Sequence, residues 1–336
     1  MTGIDIIAGA NEEGSRLDRF LRKRLPLLGL SDIYALIRKG KVRVNGKRGK
    51  AEYRLKMGDI LLIKVNPSEL APDNKPDHSL GELTKTSFFK HNFNVIYEDE
   101  AILACNKPAG LVVHPGSGHV KNDTLIDLAT AYLLSKQDKG NADEPPVLMH
   151  RLDKDTSGVI LLAKNKGVVR KLHRDMQNEL FFKQYVAICH NRPPEYVGTI
   201  ATGLKRDDRS NSGMKMRVAK SGPMAKSSYK IVEYHNDISQ LEIVLHTGKT
   251  HQIRVQMAHL SSPVVGDTRY GSPDLDQALF SCAQIPRRLY LHACKLSFPH
   301  PVSSRKITLK ADTPAEFRAV HRPPSAAHQH RNPAVR

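Results

Sequence analysis

The sequence predicts an α+β protein in two parts: a small basic α/β module, then a larger domain built on a mixed, antiparallel-rich sheet. Three observations carry the prediction. Two short amphipathic helical runs and a hairpin signature fall within residues 16–65. From residue 91 to residue 320, strand-like and helix-like runs alternate without the regular β-α-β rhythm of a doubly wound sheet. The 336 residues are 40% hydrophobic and 26% charged, enough chain for two or three domains that each bury a core.

The module, residues 14–65, can be taken in order. Leu17, Phe20 and Leu21 recur at helical spacing. Ile33, Leu36 and Ile37 do so in a second helix, with Ser31 at its N-cap and Gly40 as its stop. Val42-Arg43-Val44-Asn45-Gly46 is a short strand entering an Asn-Gly turn, and Gly58-Asp59 marks a turn before a strand over 60–65. Residues 66–90, with Pro67, Pro72 and Pro76 among polar residues, form a linker.

In the larger domain, 91–320, strands are predicted over 95–97 and 102–106, around the Glu98-Asp99-Glu100 turn. Strands over 159–163 and 185–189 flank a helix near 166–178. A strand over 241–245 ends at Thr247-Gly248, and a helix over 250–260 carries Ile253, Met257 and Leu260 on one face. Residues 321–336 have three prolines, three arginines, three histidines and no acid. They read as a disordered basic tail, either an added RNA contact or a tail without a role.

Charge narrows the partner. Lys plus Arg is 52 and Asp plus Glu is 34, a net charge of +18, which predicts a polyanion and nucleic acid first. Residues 16–56 hold fourteen Lys or Arg against only Asp18, Asp32 and Glu52. That concentration favours a binding face over a diffusely basic surface. Arg19, Arg22, Lys23, Arg38, Lys39, Lys41, Arg43, Lys47 and Arg48 are its candidate contacts.

Other classes lose support. No apolar run approaches the roughly 20 residues of a membrane span, and residues 1–14 lack the charge and apolar order of a signal peptide. Cys105, Cys189, Cys282 and Cys294 form no C-x-x-C pair, so neither a zinc site nor a disulfide framework is expected. Neither glycine-rich phosphate-binding signature occurs, which leaves a nucleotide cofactor without support. A cytoplasmic monomer with reduced thiols, no metal and no cofactor is expected.

The densest chemistry lies in His150-Arg151-Leu152-Asp153-Lys154-Asp155-Thr156-Ser157-Gly158, directly before the apolar run 159–163. Two carboxylates, two cations, an imidazole and two hydroxyls against a core strand are costly unless they pair. They mark either a solvated turn or a site, and the residues alone leave both open. A carboxylate can serve as nucleophile, base or metal ligand, and a nearby arginine would keep it ionised and oriented. Arg-Leu-Asp also occurs at 16–18, where Asp18 is expected to be a helix-surface partner of Arg22.

Resemblance sharpens both parts. RLDRFL, SDIYALIRKGKVRVNG and MGDILLI resemble the S4-type RNA-binding domain, whose basic helix face meets structured RNA. Residues 150–158 resemble the H-R-L-D-x-x-T-S-G motif of the RluA-type pseudouridine synthases. Four further segments agree in order: Asn106-Lys107-Pro108-Ala109-Gly110 with Val113-His114-Pro115; Lys183-Gln184-Tyr185-Val186-Ala187; 247–255 (TGKTHQIRV) with Gly266-Asp267 and Arg269-Tyr270-Gly271; and Leu289-Tyr290-Leu291-His292-Ala293.

That resemblance implies the pseudouridine synthase fold and a cofactor-free isomerisation of uridine, with Asp153 as nucleophile. It also implies Arg254 as the cationic partner of Asp153, Tyr185 and Leu291 against the uracil, and Arg151 filling the gap left by a flipped uridine. An S4 domain joined to this catalytic domain implies large-subunit (23S) rRNA as substrate, since single-domain relatives acting on tRNA usually lack it.

Plainer readings stand beside these. Tyr185, alternating with apolar neighbours, could be core; His251 and Arg254 could form a helix salt bridge; His150 is an orienting group, Asp155 structural, and Gly158 and Gly248 serve turns. The alternative function is a non-catalytic RNA-binding or ribosome-assembly factor. A glycosidic hydrolase using Asp153 and Asp155 as its carboxylate pair is a third, weaker reading.

Overall fold

In a computed structural model of the chain, the described residues are 2–8, 12–25, 28, 30–65, 93–114, 124–136, 145–207 and 215–320. They fall into two compact units, residues 2–65 and residues 93–320. The linker expected over 66–90 and the tail expected over 321–336 lie outside the described residues.

The first unit contains β1 (Thr2–Ile7), α1 (Leu17–Arg24), α2 (Leu30–Arg38), β2 (Val42–Val44), β3 (Lys47–Arg48) and β4 (Ile60–Val65). Its sheet runs β1-β4-β2-β3. Leu17, Phe20 and Leu21 of α1 and Ile33 and Ile37 of α2 pack on Val42, Val44, Leu61 and Ile63. The Asn-Gly turn is real: Asn45 (φ 50°) and Gly46 (φ 76°) both take the left-handed backbone that a tight hairpin requires. Asp59 accepts from the Lys56 amide, the Asn45 amide group and the Tyr53 hydroxyl, which pins the second turn.

Three expectations need correction here. β1, absent from the predicted module, pairs antiparallel with β4 along its whole length. The second helix starts at Leu30, so Ser31 lies inside its first turn and is not its cap. Asp18 is buried and bonds Arg16 (2.9 Å), the Arg19 amide and the Tyr34 hydroxyl rather than Arg22. Turned inward, its carboxylate joins α1 to α2.

The second unit contains β5 (Asn94–Glu98), β6 (Ile102–Lys107), α3 (Leu125–Lys136), β7 (Val147–Leu148), β8 (Ser157–Ala163), α4 (Lys166–Gln177) and β9 (Phe182–His190). There follow β10 (Val197–Arg206), β11 (Met216–Val218), β12 (Met224–His235), β13 (Ile238–Leu245), α5 (Gln252–His259), α6 (Pro273–Ala283), β14 (Leu291–Pro299), β15 (Lys306–Lys310) and α7 (Ala315–Ala319). Among the described residues, eleven strands form one sheet in the order β11-β10-β12-β13-β9-β14-β8-β6-β5, with β15 beside β14 and β7 beside β8. The β8–β14 pair is parallel, and the other pairings are antiparallel, so the sheet is mixed and mostly antiparallel as expected.

The two sheet faces carry separate cores. One gathers Leu103, Leu128, Leu152, Ile160, Tyr185, Ile243, Ile253, Met257 and Leu291. The other gathers Ile102, Val159, Leu161, Leu172 and Phe298. All seven residues of β8 are buried, which accounts for a continuous apolar run instead of an alternating one. Among the described residues no helix is long and apolar enough to cross a membrane.

Gly158 is not a turn residue. It lies in β8 with φ 118°, and a Cβ there would overlap the Ala293 backbone of β14. Its missing side chain is what lets the two parallel strands meet.

Candidate active site

The loop 149–156, between β7 and β8, is held at its start, middle and end. At its start, His150 Nε2 accepts the Leu161 amide at 3.2 Å. Burial pushes this imidazole down to about 3, so it is neutral and serves as a strut. In the middle, the Lys154 carbonyl accepts from the Gly110 amide (2.9 Å) and from Lys107 Nζ (2.7 Å). At its end, Ser157 Oγ accepts from Arg288 Nη2 (2.7 Å) and lies 2.9 Å from His292 Nδ1. The Thr156 amide donates to the Asp153 carbonyl at 3.2 Å and closes a tight turn.

Asp153, on this turn, keeps 26% of its side chain exposed. Arg254 Nη1 donates to its Oδ2 at 3.0 Å. The other edge of the same guanidinium grips Asp267, Nε to Oδ2 at 2.7 Å and Nη2 to Oδ1 at 2.8 Å. Asp267 also accepts the amides of Arg269 and Tyr270. Burial opposes both charges, yet these donors hold Asp267 below its ordinary value, and the carboxylates hold Arg254 above its own. Arg254 and Asp267 are therefore a charged pair, and Asp153, held by the same guanidinium, is partly open to solvent.

The register of α5 comes from two glutamines. Gln252 Oε1 accepts from the Thr247 hydroxyl and the Lys249 amide, while its Nε2 donates to the Lys226 carbonyl and Ser227 Oγ. Gln256 accepts from Ser227 Oγ and donates to the Ala225 carbonyl and Thr202 Oγ1. Both anchor the helix to β12, two residues before and two residues after Arg254. The helix predicted over 250–260 is thus shorter, Gln252–His259. His251 stands outside it in the left-handed region (φ 54°), so His251 and Arg254 are not a helical pair.

Tyr185 projects from β9, paired with Ile243, and belongs to the same buried cluster as Leu152, Ile253 and Leu291. Burial, with the Asp153 carboxylate adding to it, pushes the phenol well up, so it keeps its proton. Leu291 opens β14 opposite Ala187 and is buried. Arg151 is exposed, and its cation adds to the burial that lowers His114. Asp155 is exposed.

The structure thus joins Asp153 to Arg254 and brings Tyr185 within the influence of the Asp153 charge, while Leu291 shares the Tyr185 core cluster and Arg151 is exposed on the Asp153 loop. Asp267, Lys107 and the His251–Tyr270 pair were not singled out from sequence. Their signals were present: a lysine ending the apolar strand 102–107, and an acid inside the quoted Gly266-Asp267 segment. Among the described residues no group of three or more His, Cys, Asp or Glu is arranged to hold a metal ion.

In the first unit, Arg19, Arg22, Arg38, Lys39, Arg43, Lys47 and Arg48 are exposed and Lys41 is half-buried; the Lys23 side chain lies outside the described set.

Comparison with known proteins bears on both units. A family model for RNA pseudouridylate synthase matches residues 101–259, and an S4 domain model matches residues 15–61. Ribosomal large subunit pseudouridine synthase C of Buchnera aphidicola subsp. Schizaphis graminum is 34% identical over 320 residues, covering 94% of this chain and 96% of that protein. The protein of the same name from Escherichia coli K12 is 33% identical over 302 residues, covering 90% of each chain. Among solved structures, Human RNA Pseudouridylate Synthase Domain Containing 4 aligns with a TM-score of 0.56 at 24% identity, covering 72% of this chain and 95% of that one. At that identity the likeness is one of fold.

Proposed function

The chain belongs to the RNA pseudouridylate synthase family, and from that premise we propose that it isomerises particular uridines of 23S ribosomal RNA, with Asp153 as nucleophile. As an RNA pseudouridine synthase it is an isomerase: the N1–C1′ bond of a uridine breaks, the base turns, and C5 joins C1′. The base must be held during the turn and its sugar or ring captured meanwhile.

The observation that carries the assignment is the Arg254 bridge. One guanidinium holds Asp153 through a single hydrogen bond and Asp267 through two, so Asp153 is oriented by a charge that is itself locked in place. Oδ2 is engaged and Oδ1 keeps its lone pairs for attack. A carboxylate that is ionised, oriented and partly exposed is what nucleophilic catalysis requires.

The remaining parts fit one substrate. Tyr185 and Leu291 form an apolar wall for the uracil ring, and the protonated Tyr185 hydroxyl can donate toward it. Reaching a uridine inside a helix requires flipping it out, and exposed Arg151 on the same loop would occupy the vacated stack. The basic residues of the S4 domain supply sequence-independent phosphate contacts.

The test is Asp153→Asn, which preserves shape and removes the charge. Pseudouridine is mass-silent, so rRNA is mapped by carbodiimide labelling from cells lacking the gene, complemented with wild type or the variant. Wild type is expected to restore specific sites in 23S rRNA and the variant to restore none. Sites restored by the variant would rule out Asp153 as nucleophile, and sites appearing only in other RNAs would rule out the substrate.

A further inference from the structure

Beside Asp153 stands a histidine to which the mechanism above assigns no task. His251 takes a left-handed backbone (φ 54°), an uncommon conformation for a residue with a side chain. Its ring lies between two partners. Nδ1 is 2.8 Å from the Tyr270 hydroxyl, and Nε2 is 3.9 Å from Asp153 Oδ1, the oxygen that Arg254 leaves free.

Donor counting decides the tautomer. The Tyr270 oxygen already accepts the Met216 amide at 2.8 Å. A phenol has one proton of its own, and with its oxygen already accepting, donating that proton to His251 Nδ1 is the arrangement that uses both groups fully. Nδ1 is then an acceptor, and the neutral ring carries its proton on Nε2, facing Asp153. Tyr270 is itself fixed: its ring meets His251 edge-on at 5.6 Å between centroids and lies under the Arg254 guanidinium.

The charged groups around the ring are Asp153, Arg254, Asp267 and Arg269. Burial lowers His251 below its ordinary value; Asp153 and Asp267 pull it up, while Arg254 and Arg269 push it further down. The neutral ring is the form present at neutral pH.

We propose that His251, fixed by Tyr270 as the Nε2–H tautomer, is a positioning residue that orients Asp153 Oδ1 for attack. At 3.9 Å the N–H is a dipole aimed at the oxygen and not a hydrogen bond, so the lone pairs stay available. Arg254 holds one oxygen by a hydrogen bond and the His251 dipole favours one placement of the other, which narrows the rotation of the carboxylate plane. Protonating the ring in acid replaces the dipole with a cation and draws Oδ1 into an ion pair. The inference rests on Asp153 being the nucleophile.

Two experiments on the full-length protein test it. Long-range proton–nitrogen NMR reads the tautomer, with His251 assigned by the signals missing in His251→Gln. The expected result is Nε2–H in wild type and a mixture in Tyr270→Phe; Nδ1–H in wild type overturns the proposal. Single-turnover rates and RNA affinities are then compared for wild type, His251→Leu and His251→Gln, with thermal unfolding as a check on folding.

Leu removes the donor and should lower the rate roughly tenfold to a hundredfold with little change in RNA affinity. Gln retains an N–H near the Nε2 position and should stay within roughly fivefold of wild type. It should also lose the acid limb that wild type shows as pH falls through the His251 pKa. A fully active Leu variant, or equal losses in Leu and Gln, overturns the proposal. Should Leu not fold, the Gln pH profile and the Tyr270→Phe tautomer decide it. An active Asp153→Asn would instead sink the nucleophile assignment. An inactive Asp153→Asn beside a fully active Leu variant sinks only the role of His251.

Discussion

Lys107 is wholly buried, yet each of its three ammonium protons has an acceptor: the carbonyls of Pro108 (2.8 Å), Leu111 (2.8 Å) and Lys154 (2.7 Å). Burial pushes it down to about 7. A neutral amine has only two protons for those three acceptors, so the ammonium is the bound form. Lys107→Met strips the Pro108 and Leu111 carbonyls of their Lys107 donor, leaves the Lys154 carbonyl with the Gly110 amide, and should cost on the order of 3 kcal/mol in urea unfolding. Asp267→Asn keeps the shape but strips the charge that fixes Arg254. It should lower the isomerisation rate on the order of a hundredfold and cost about 3 kcal/mol of stability. His150 supplies a pH signature. Its folded value of about 3 lies below the ordinary 6.5, so the unfolded chain binds a proton that the folded chain refuses. Stability should fall as pH drops from about 6.5 toward 3, by at most about 1.4 kcal/mol per pH unit, and His150→Gln should flatten that slope.

At the scale of elements, α5 shows what a one-dimensional pattern can and cannot carry. Ile253 and Met257 were legible as an apolar stripe, and both enter the main core, with Leu260 packed against it. Gln252, Arg254 and Gln256 look like the solvent side of the same helix, yet all three are buried. Their partners, on β10, β12, the loop before α5, Asp153 and Asp267, lie elsewhere in the chain, and a buried polar side chain is tolerated only once such partners arrive. His251 was misplaced for the same reason: the helix start is set by its tie to Tyr270 and by Gln252, not by hydrophobic period. The β8–β14 contact is a second case. Gly158 reads as a turn glycine beside Thr156 and Ser157, but the passage of Ala293 is what demands it. Gly158→Ala should part the two strands and destabilise by on the order of 3 kcal/mol, measured by thermal unfolding.

Over the whole molecule, charge is unevenly placed. Arg43 and Arg48 sit directly opposite each other on the β2–β3 hairpin, a like-charge pair that costs stability without an anion to share. Arg43→Glu should leave the melting temperature unchanged or slightly raised while weakening RNA binding. Wild-type affinity should fall steeply with salt, with a slope that the variant reduces.

Composition, charge clustering and local patterning were enough to predict a small basic module ahead of an α+β domain, and the resemblance of its short motifs to known families supplied the S4-type reading and the pairing of a carboxylate with its arginine. These properties are written in residue types and short spacings, which a linear chain preserves. The tertiary structure alone decided which groups face one another. Asp153 and Arg254 are 101 residues apart, and they meet because two glutamines hold α5 against β12 while Lys107 and Arg288 hold the Asp153 loop. It also decided that Asp267 locks Arg254 and that Tyr270 sets the proton of His251. Those outcomes depend on hydrogen-bond geometry between distant segments, which exists only after the sheet has closed.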